Sequence, residues 1–162
     1  MAQLLAGVNV GGTTTSVVVG NEQGQILERR AWSTQAADGE ALYGAIVTAL
    51  RLIAKDASAM GVAIGGPLDA RHGIVLAPPH LPGMHGFPLA ERLRADFPGH
   101  VSVHHDAAAC ALAEVRWGAD RDVRGLAYLT CGTGFGAGVV IDGRVRYGSS
   151  GLSPELGTRA LP

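Results

Sequence analysis

The most constraining feature of this sequence is a repeated junction, in which a short apolar run stops at a tight turn. It occurs at "VGGTTTS" (Val10–Ser16), "GGPLD" (Gly65–Asp69), "HDAAAC" (His105–Cys110) and "CGTGFGAG" (Cys131–Gly138). The first third reads as strands over Leu4–Val10, Ser16–Gly20 and Ile26–Ser33, parted by Gly11-Gly12 and by "NEQGQ". Glu40–Ala57 then places Leu42, Ala45, Ile46, Ala49, Leu50 and Ile53 at helical spacing, with Asp38 as a cap. Further strands are predicted at Gly61–Gly65, Gly73–Ala77 and Val101–His104, with helices over Leu89–Phe97 and Ala107–Trp117. The loop "APPHLPGMHGFP" (Ala77–Pro88) lies among them. The chain closes with strands at Gly125–Thr130, Gly134–Ile141 and Arg144–Tyr147, the last two joined by an Asp142-Gly143 hairpin turn. Three strands followed by alternating helices and strands predict an α/β layered fold.

In such a fold, ligand sites collect beyond the carboxyl ends of the strands, where these junctions fall. Glycine lets the backbone approach a ligand closely, and its N–H groups can face phosphate oxygens. Thr hydroxyls add donors. "CGTGFGAG" is the stronger phosphate candidate and "VGGTTTS" the second. Neither is a P-loop, since G-x-x-x-x-G-K-[ST] is absent, and "GTGFGAG" enters a strand where a dinucleotide fingerprint needs a helix.

Asp106 follows a strand and opens a helix. Two readings stand side by side: a helix cap, and a general base facing the site side of the sheet. The helix N-terminus favours its ionised form. His104 and His105 are adjacent on a strand, so their side chains point to opposite faces and do not share a metal. The other four histidines, His72, His80, His85 and His100, fall in polar turns and are expected to face solvent.

Composition excludes several classes. With 162 residues, 47% hydrophobic and 17% charged, the chain can bury a core. A net charge of −1 and the lack of a basic run give no support to nucleic-acid binding. No 18-residue apolar run points to a membrane, and no secretory leader pattern is seen, so a cytoplasmic protein is expected. Cys110 and Cys131 form no disulfide framework and are expected to be buried small hydrophobes.

Four ordered segments together resemble the ROK family of repressors and sugar kinases. They are "GVNVGGTTTSVVVGNEQGQIL" (Gly7–Leu27), "AIGGPLDARHGIVLAPPHLPGMHGFPL" (Ala63–Leu89), "VHHDAAACALAE" (Val103–Glu114) and "YLTCGTGFGAGVVIDGRVRYGSSGLSPELGT" (Tyr128–Thr158). The resemblance implies a ribonuclease-H-like, actin- and hexokinase-type ATPase lobe, with a mixed sheet flanked by helices. It also implies ATP-dependent phosphorylation of a hexose, glucose among the candidates. On that basis Asp106 matches the base that takes the sugar hydroxyl proton. His105 and Glu155 match sugar ligands, and Gly65, Gly66, Pro82 and Gly83 line the sugar pocket. Asn9, Gly11, Gly12 and Thr13 approach the transferred phosphate. Gly132, Thr133 and Gly134 hold the ATP phosphates, with Mg bridging phosphate oxygens.

The pattern departs from the family in four places. Asn9 stands for the usual Asp that helps hold the metal, which predicts weaker Mg-ATP use. Thr14 replaces a Lys. "HHD" replaces Glu-Asn-Asp, which bears on sugar identity. Thr158 replaces a His, with Pro154 for Gly. The resemblance divides the chain into an N-terminal lobe, residues 1–122, and the start of a second lobe, residues 123–162, without the adenosine-holding helices. A fragment, a truncated product or completion by another copy in a homo-oligomer are the expectations. The rival reading is a non-catalytic sugar-binding or regulatory module of the same family. A third possibility is an interaction protein that uses the fold alone.

Overall fold

The structure, a computed structural model, describes residues 3–118, 123–131 and 135–152. The chain opens with an antiparallel meander: β1 (Leu4–Val10), β2 (Thr14–Asn21) and β3 (Ile26–Ser33). Helix α1 (Gly39–Ile53) leads to β4 (Ala59–Ile64), which pairs parallel with β1. A small hairpin of β5 (Leu68–Asp69) and β6 (Ile74–Val75) follows, then a 3-10 turn over Pro82–Met84 and α2 (Leu89–Asp96). Strand β7 (His100–His105) pairs parallel with β4 and runs directly into α3 (Asp106–Trp117). The five-stranded sheet has the order β3-β2-β1-β4-β7. A second sheet of three strands is made by β8 (Gly125–Cys131), β9 (Phe135–Ile141) and β10 (Arg144–Val145).

Strand alternation sends one set of side chains into the core. These are Ala6, Val8 and Val10 from β1, Met60, Val62 and Ile64 from β4, and Val101 and Val103 from β7. The apolar stripe of α1 (Leu42, Ile46, Leu50) lies on them, and Leu89 and Leu93 of α2 close the layer. Each fully buried Leu or Ile here stabilises the fold by about 1.5–3 kcal/mol relative to exposure. The predicted cap is present: the Asp38 side chain accepts from the Ala41 N–H at 2.9 Å.

Helix α1 stops at Ile53, four residues before the predicted end. Its cap residue Ala54 and Ala57 turn inward, buried, and the Ser58 N–H bonds the Leu4 carbonyl at 2.9 Å. Those residues are needed to bring the chain back beside β1. The hairpin turn is as expected: Asp142 and Gly143 have φ of 51° and 72°, both positive as a type I′ turn requires.

The cysteine expectation is corrected. Cys110 and Cys131 are both free, and both are exposed. Cys131 falls on the outward register of β8 with Ala127 and Leu129, and Cys110 lies on the outer side of α3 beside the Tyr128 hydroxyl. His72, His80, His85 and His100 are exposed, as expected, although His100 opens β7 and does not lie in a turn.

Helix α3 joins the two sheets. It packs on β8 and β9 on one side and on β4 and β7 on the other. Contact with β9 is so close that a Cβ at Gly138 would lie 2.2 Å from the Ala107 carbonyl oxygen. Gly44, in the exposed side of α1, has nothing within 4 Å of such a Cβ. Gly138→Ala is therefore expected to destabilise the protein by about 1–3 kcal/mol through overpacking. Gly44→Ala is expected to stabilise it by about 0.5–1 kcal/mol through helix propensity. Urea unfolding of the two variants beside the wild type checks both signs.

Candidate functional site

The site is built by strand register. Val10 is level with Ile64 in the β1–β4 pairing, and Ile64 is level with His105 in the β4–β7 pairing. The residues that follow therefore emerge together at one edge of the sheet: Gly11-Gly12, Gly65-Gly66 and Asp106. All three strands point the same way, so this edge is their shared carboxyl end.

The first jaw is the Gly11–Thr13 turn. It is closed by a Gly11 N–H to Thr14 carbonyl bond of 3.1 Å. Thr34, just past β3, braces it from behind. Its hydroxyl donates to the Gly11 carbonyl at 2.7 Å, and its backbone N–H donates to the Thr13 carbonyl at 2.9 Å. Thr15, fully buried, lies 2.8 Å from the Thr34 hydroxyl and donates to it, since the Thr34 proton is already committed. Thr34 was not legible as a site residue in the sequence, because its partners lie 19 and 23 positions away. The run of three threonines was the only signal of a hydroxyl chain. Asn9, one residue before the strand end, is exposed.

The second jaw is Gly65-Gly66. A Cβ at Gly65 would meet nothing within 4 Å, so the backbone there borders open space. Pro82 and Gly83 lie in the 3-10 turn that packs on the entry of α1. Gly83 is pinned to the entry of α1: its N–H bonds the Ala36 carbonyl at 2.8 Å, and a Cβ would lie 2.6 Å from the Gly39 nitrogen. That close approach alone requires the glycine. The same loop reaches the first jaw through His80, whose Cβ lies 2.7 Å from where a Gly12 Cβ would be.

Asp106 follows β7, on the far side of the second jaw from the first. It is the first helical residue of α3 and not the cap residue before it, which is His105. Its side chain is 46% exposed, with Oδ1 2.6 Å from the Ala107 N–H and 3.1 Å from His105 Nδ1. His105 is 5% exposed and follows the buried register of Val101 and Val103. His104 takes the opposite register, as expected for neighbours on a strand. Its Nδ1 lies 2.6 Å from the Tyr147 hydroxyl, and burial holds its pKa below the ordinary imidazole value. Tyr147 is pushed up to about 12 by burial, partly offset by a hydrogen bond from the His105 backbone amide. Gly132, Thr133, Gly134 and Glu155 lie outside the described residues, as do Pro154 and Thr158.

The ROK family profile matches residues 5–161. A glucokinase of Thermotoga maritima is 36% identical over 156 residues, which cover 94% of this chain and 49% of that enzyme. A bifunctional NanE/NanK enzyme of Brucella melitensis is 35% identical over 152 residues, covering 92% of this chain and 29% of that protein. Among solved structures, a ROK hexokinase from Thermus thermophilus superposes with a TM-score of 0.85 at 32% identity, covering 99% of this chain and 54% of that one. A ROK family glucokinase from Streptomyces griseus, solved with glucose and AMPPNP, also gives 0.85, at 31% identity, covering 95% of this chain and 49% of that one. The chain spans about half the length of the curated relatives it matches. The mixed sheet flanked by helices is thus the actin-like ATPase arrangement of the ROK hexokinases.

Two outcomes are expected from this geometry. Thr34→Val keeps shape but strands the buried Thr15 hydroxyl and the Gly11 carbonyl. It should cost about 1–3 kcal/mol in chemical denaturation, whereas Thr34→Ser should cost less. His104 binds its proton less readily when folded than when unfolded, so the unfolded state takes up more protons as pH falls below about 6.5. Stability from this residue is fully present above that pH and is lost on acidification. Between pH 7.5 and 5.5 the melting temperature of the wild type should fall further than that of His104→Gln.

Proposed function

The chain belongs to the ROK family, and we propose that the protein transfers the γ-phosphoryl group of ATP to a hydroxyl of a hexose. The observation that carries this reading is the level ending of β1, β4 and β7, which gathers two glycine turns and one carboxylate at a single sheet edge. Asp106 is placed to take the sugar hydroxyl proton as that oxygen bonds to the γ-phosphorus and ADP leaves. Its exposure leaves it accessible to a substrate hydroxyl. By the family resemblance the attacking group is the 6-OH. His105 and Glu155 are the proposed sugar ligands, with Gly65, Gly66, Pro82 and Gly83 as the pocket wall. Gly11, Gly12 and Thr13 face the transferred phosphate, and Gly132, Thr133 and Gly134 the remaining ATP phosphates.

Among the described residues no group of three or more His, Cys, Asp or Glu side chains converges as a metal cage. That donor set fits magnesium carried in with ATP, since Mg²⁺ keeps most of its waters and takes phosphate oxygens with few protein ligands. Asn9, exposed at the end of β1, offers it a carbonyl oxygen. Bound there, the ion would offset charge on the phosphate oxygens. We place the protein in the cytoplasm, where ATP is available; no helix among the described residues is long and apolar enough to cross a membrane. Residues 1–122 and 123–162 are assigned to the two lobes that close over the nucleotide.

A coupled ADP-release assay across a hexose panel tests the reading. Asp106→Asn should lower turnover by at least ~100-fold while sugar still raises the melting temperature. Asn9→Asp should raise Mg-ATP-dependent turnover. Wild-type turnover that survives in Asp106→Asn would refute the assignment of the base. Sugar binding without turnover in any form would favour a binding module of the same family.

A further inference from the structure

Thr34 braces the Gly11–Thr13 turn, and its bond also sets the direction of a backbone donor. The Thr34 hydroxyl donates to the Gly11 carbonyl at 2.7 Å. That carbonyl and the Gly12 N–H belong to one peptide group, which is trans. In a planar trans peptide the N–H points opposite to the C=O. Tying the carbonyl to Thr34 therefore turns the Gly12 N–H away from Thr34. Gly12 and Thr13 are exposed, and neither N–H has a hydrogen-bond partner among the described residues. Two successive backbone donors are thus open, and Thr34 sets the direction of the first. Successive free N–H groups in a turn can hold an anion.

Thr34 is itself held in place. Thr15, fully buried, donates to the Thr34 hydroxyl across 2.8 Å, which leaves the Thr34 proton for Gly11. Hydroxyls that donate in one direction along a chain strengthen each other's bonds. The Thr34 N–H is fixed on the Thr13 carbonyl at 2.9 Å. Two residues further on, the Ala36 carbonyl takes the Gly83 N–H at 2.8 Å, so the segment leaving β3 is pinned at both ends. Glycine has the backbone freedom to let the Gly11-Gly12 peptide flip, but a flip would break the Thr34 bond.

We propose that Thr34 is a positioning residue that aims the Gly12 N–H at the phosphoryl group in transfer. That the turn meets a phosphoryl group rests on the kinase reading above; the orientation of the peptide rests on the hydrogen bonds alone. The phosphoryl group carries its charge on its equatorial oxygens as it moves. A donor already aimed at such an oxygen needs no reorganisation during the reaction, so its effect is realised in the transition state.

In nitrogen-15 NMR of the wild type, the Gly12 amide should shift on addition of Mg-AMPPNP. It should stay near its free position with Mg-ADP, which lacks the terminal phosphoryl group. Thr34→Val keeps the shape and removes the donor. There the Gly11 carbonyl carbon resonance should move, the AMPPNP-specific shift should be lost, and kcat should fall ~10-fold with KM for hexose unchanged. Thr34→Ser keeps the donor and should restore the shift, with kcat within about threefold of wild type. A Gly12 amide that ignores AMPPNP, or answers ADP equally, would overturn the aim at the transferred group. An unmoved kcat in Thr34→Val, or a Thr34→Ser as slow as Thr34→Val, would overturn the positioning role. If the wild type turns over no hexose, the kinase reading fails, while the Gly11 and Gly12 signals still decide this proposal.

Discussion

The parallel hydrogen bonding that holds β1 to β4 and β4 to β7 ends level, at Val10, Ile64 and His105. Two glycine turns and Asp106 follow directly from that line. A slip of one residue in either pairing would turn the core set of each strand outward, so burial of Val8, Val62 and Val103 enforces the register. The same register then dictates which turns lie side by side at that edge. Core packing and site geometry are thus one constraint viewed from two ends of the strands.

Around that line the loops are held by backbone contacts more than by side chains. Gly83 presses on the entry of α1, Gly12 on His80, and Gly138 on the first turn of α3. At each place a single added methyl would strike a neighbour. Glycine richness, which in sequence suggests phosphate loops, here serves chain-to-chain contact at least as often. Gly65, at the end of β4, instead has open space before it.

Periodicity and turn chemistry made most elements legible. The α1 stripe, the Asp38 cap, the Asp142-Gly143 turn and the opposed faces of His104 and His105 follow from local rules. The end of α1 was not legible, because what stops it is the need to return Ser58 to Leu4, a tertiary demand. The cysteines were misplaced for a related reason. A small apolar residue follows whichever face its register assigns, and the outward face of β8 is itself apolar, with Leu129 57% exposed. In the site, the glycine turns and Asp106 stood out as motifs. Thr34 and Tyr147 did not, since each acts on a partner far along the chain and neither sits in a pattern.

Helix α3 begins at Asp106 and ends at Trp117, a rigid span of about 18 Å. At its far end the Trp117 ring lies over Gly24, and its indole N–H reaches the Glu22 carbonyl at 3.3 Å. The turn between β2 and β3 is therefore the seat of an indole carried by the same rod that carries the carboxylate. Loss of that indole would therefore uncover Gly24 at the end of the helix remote from the carboxylate.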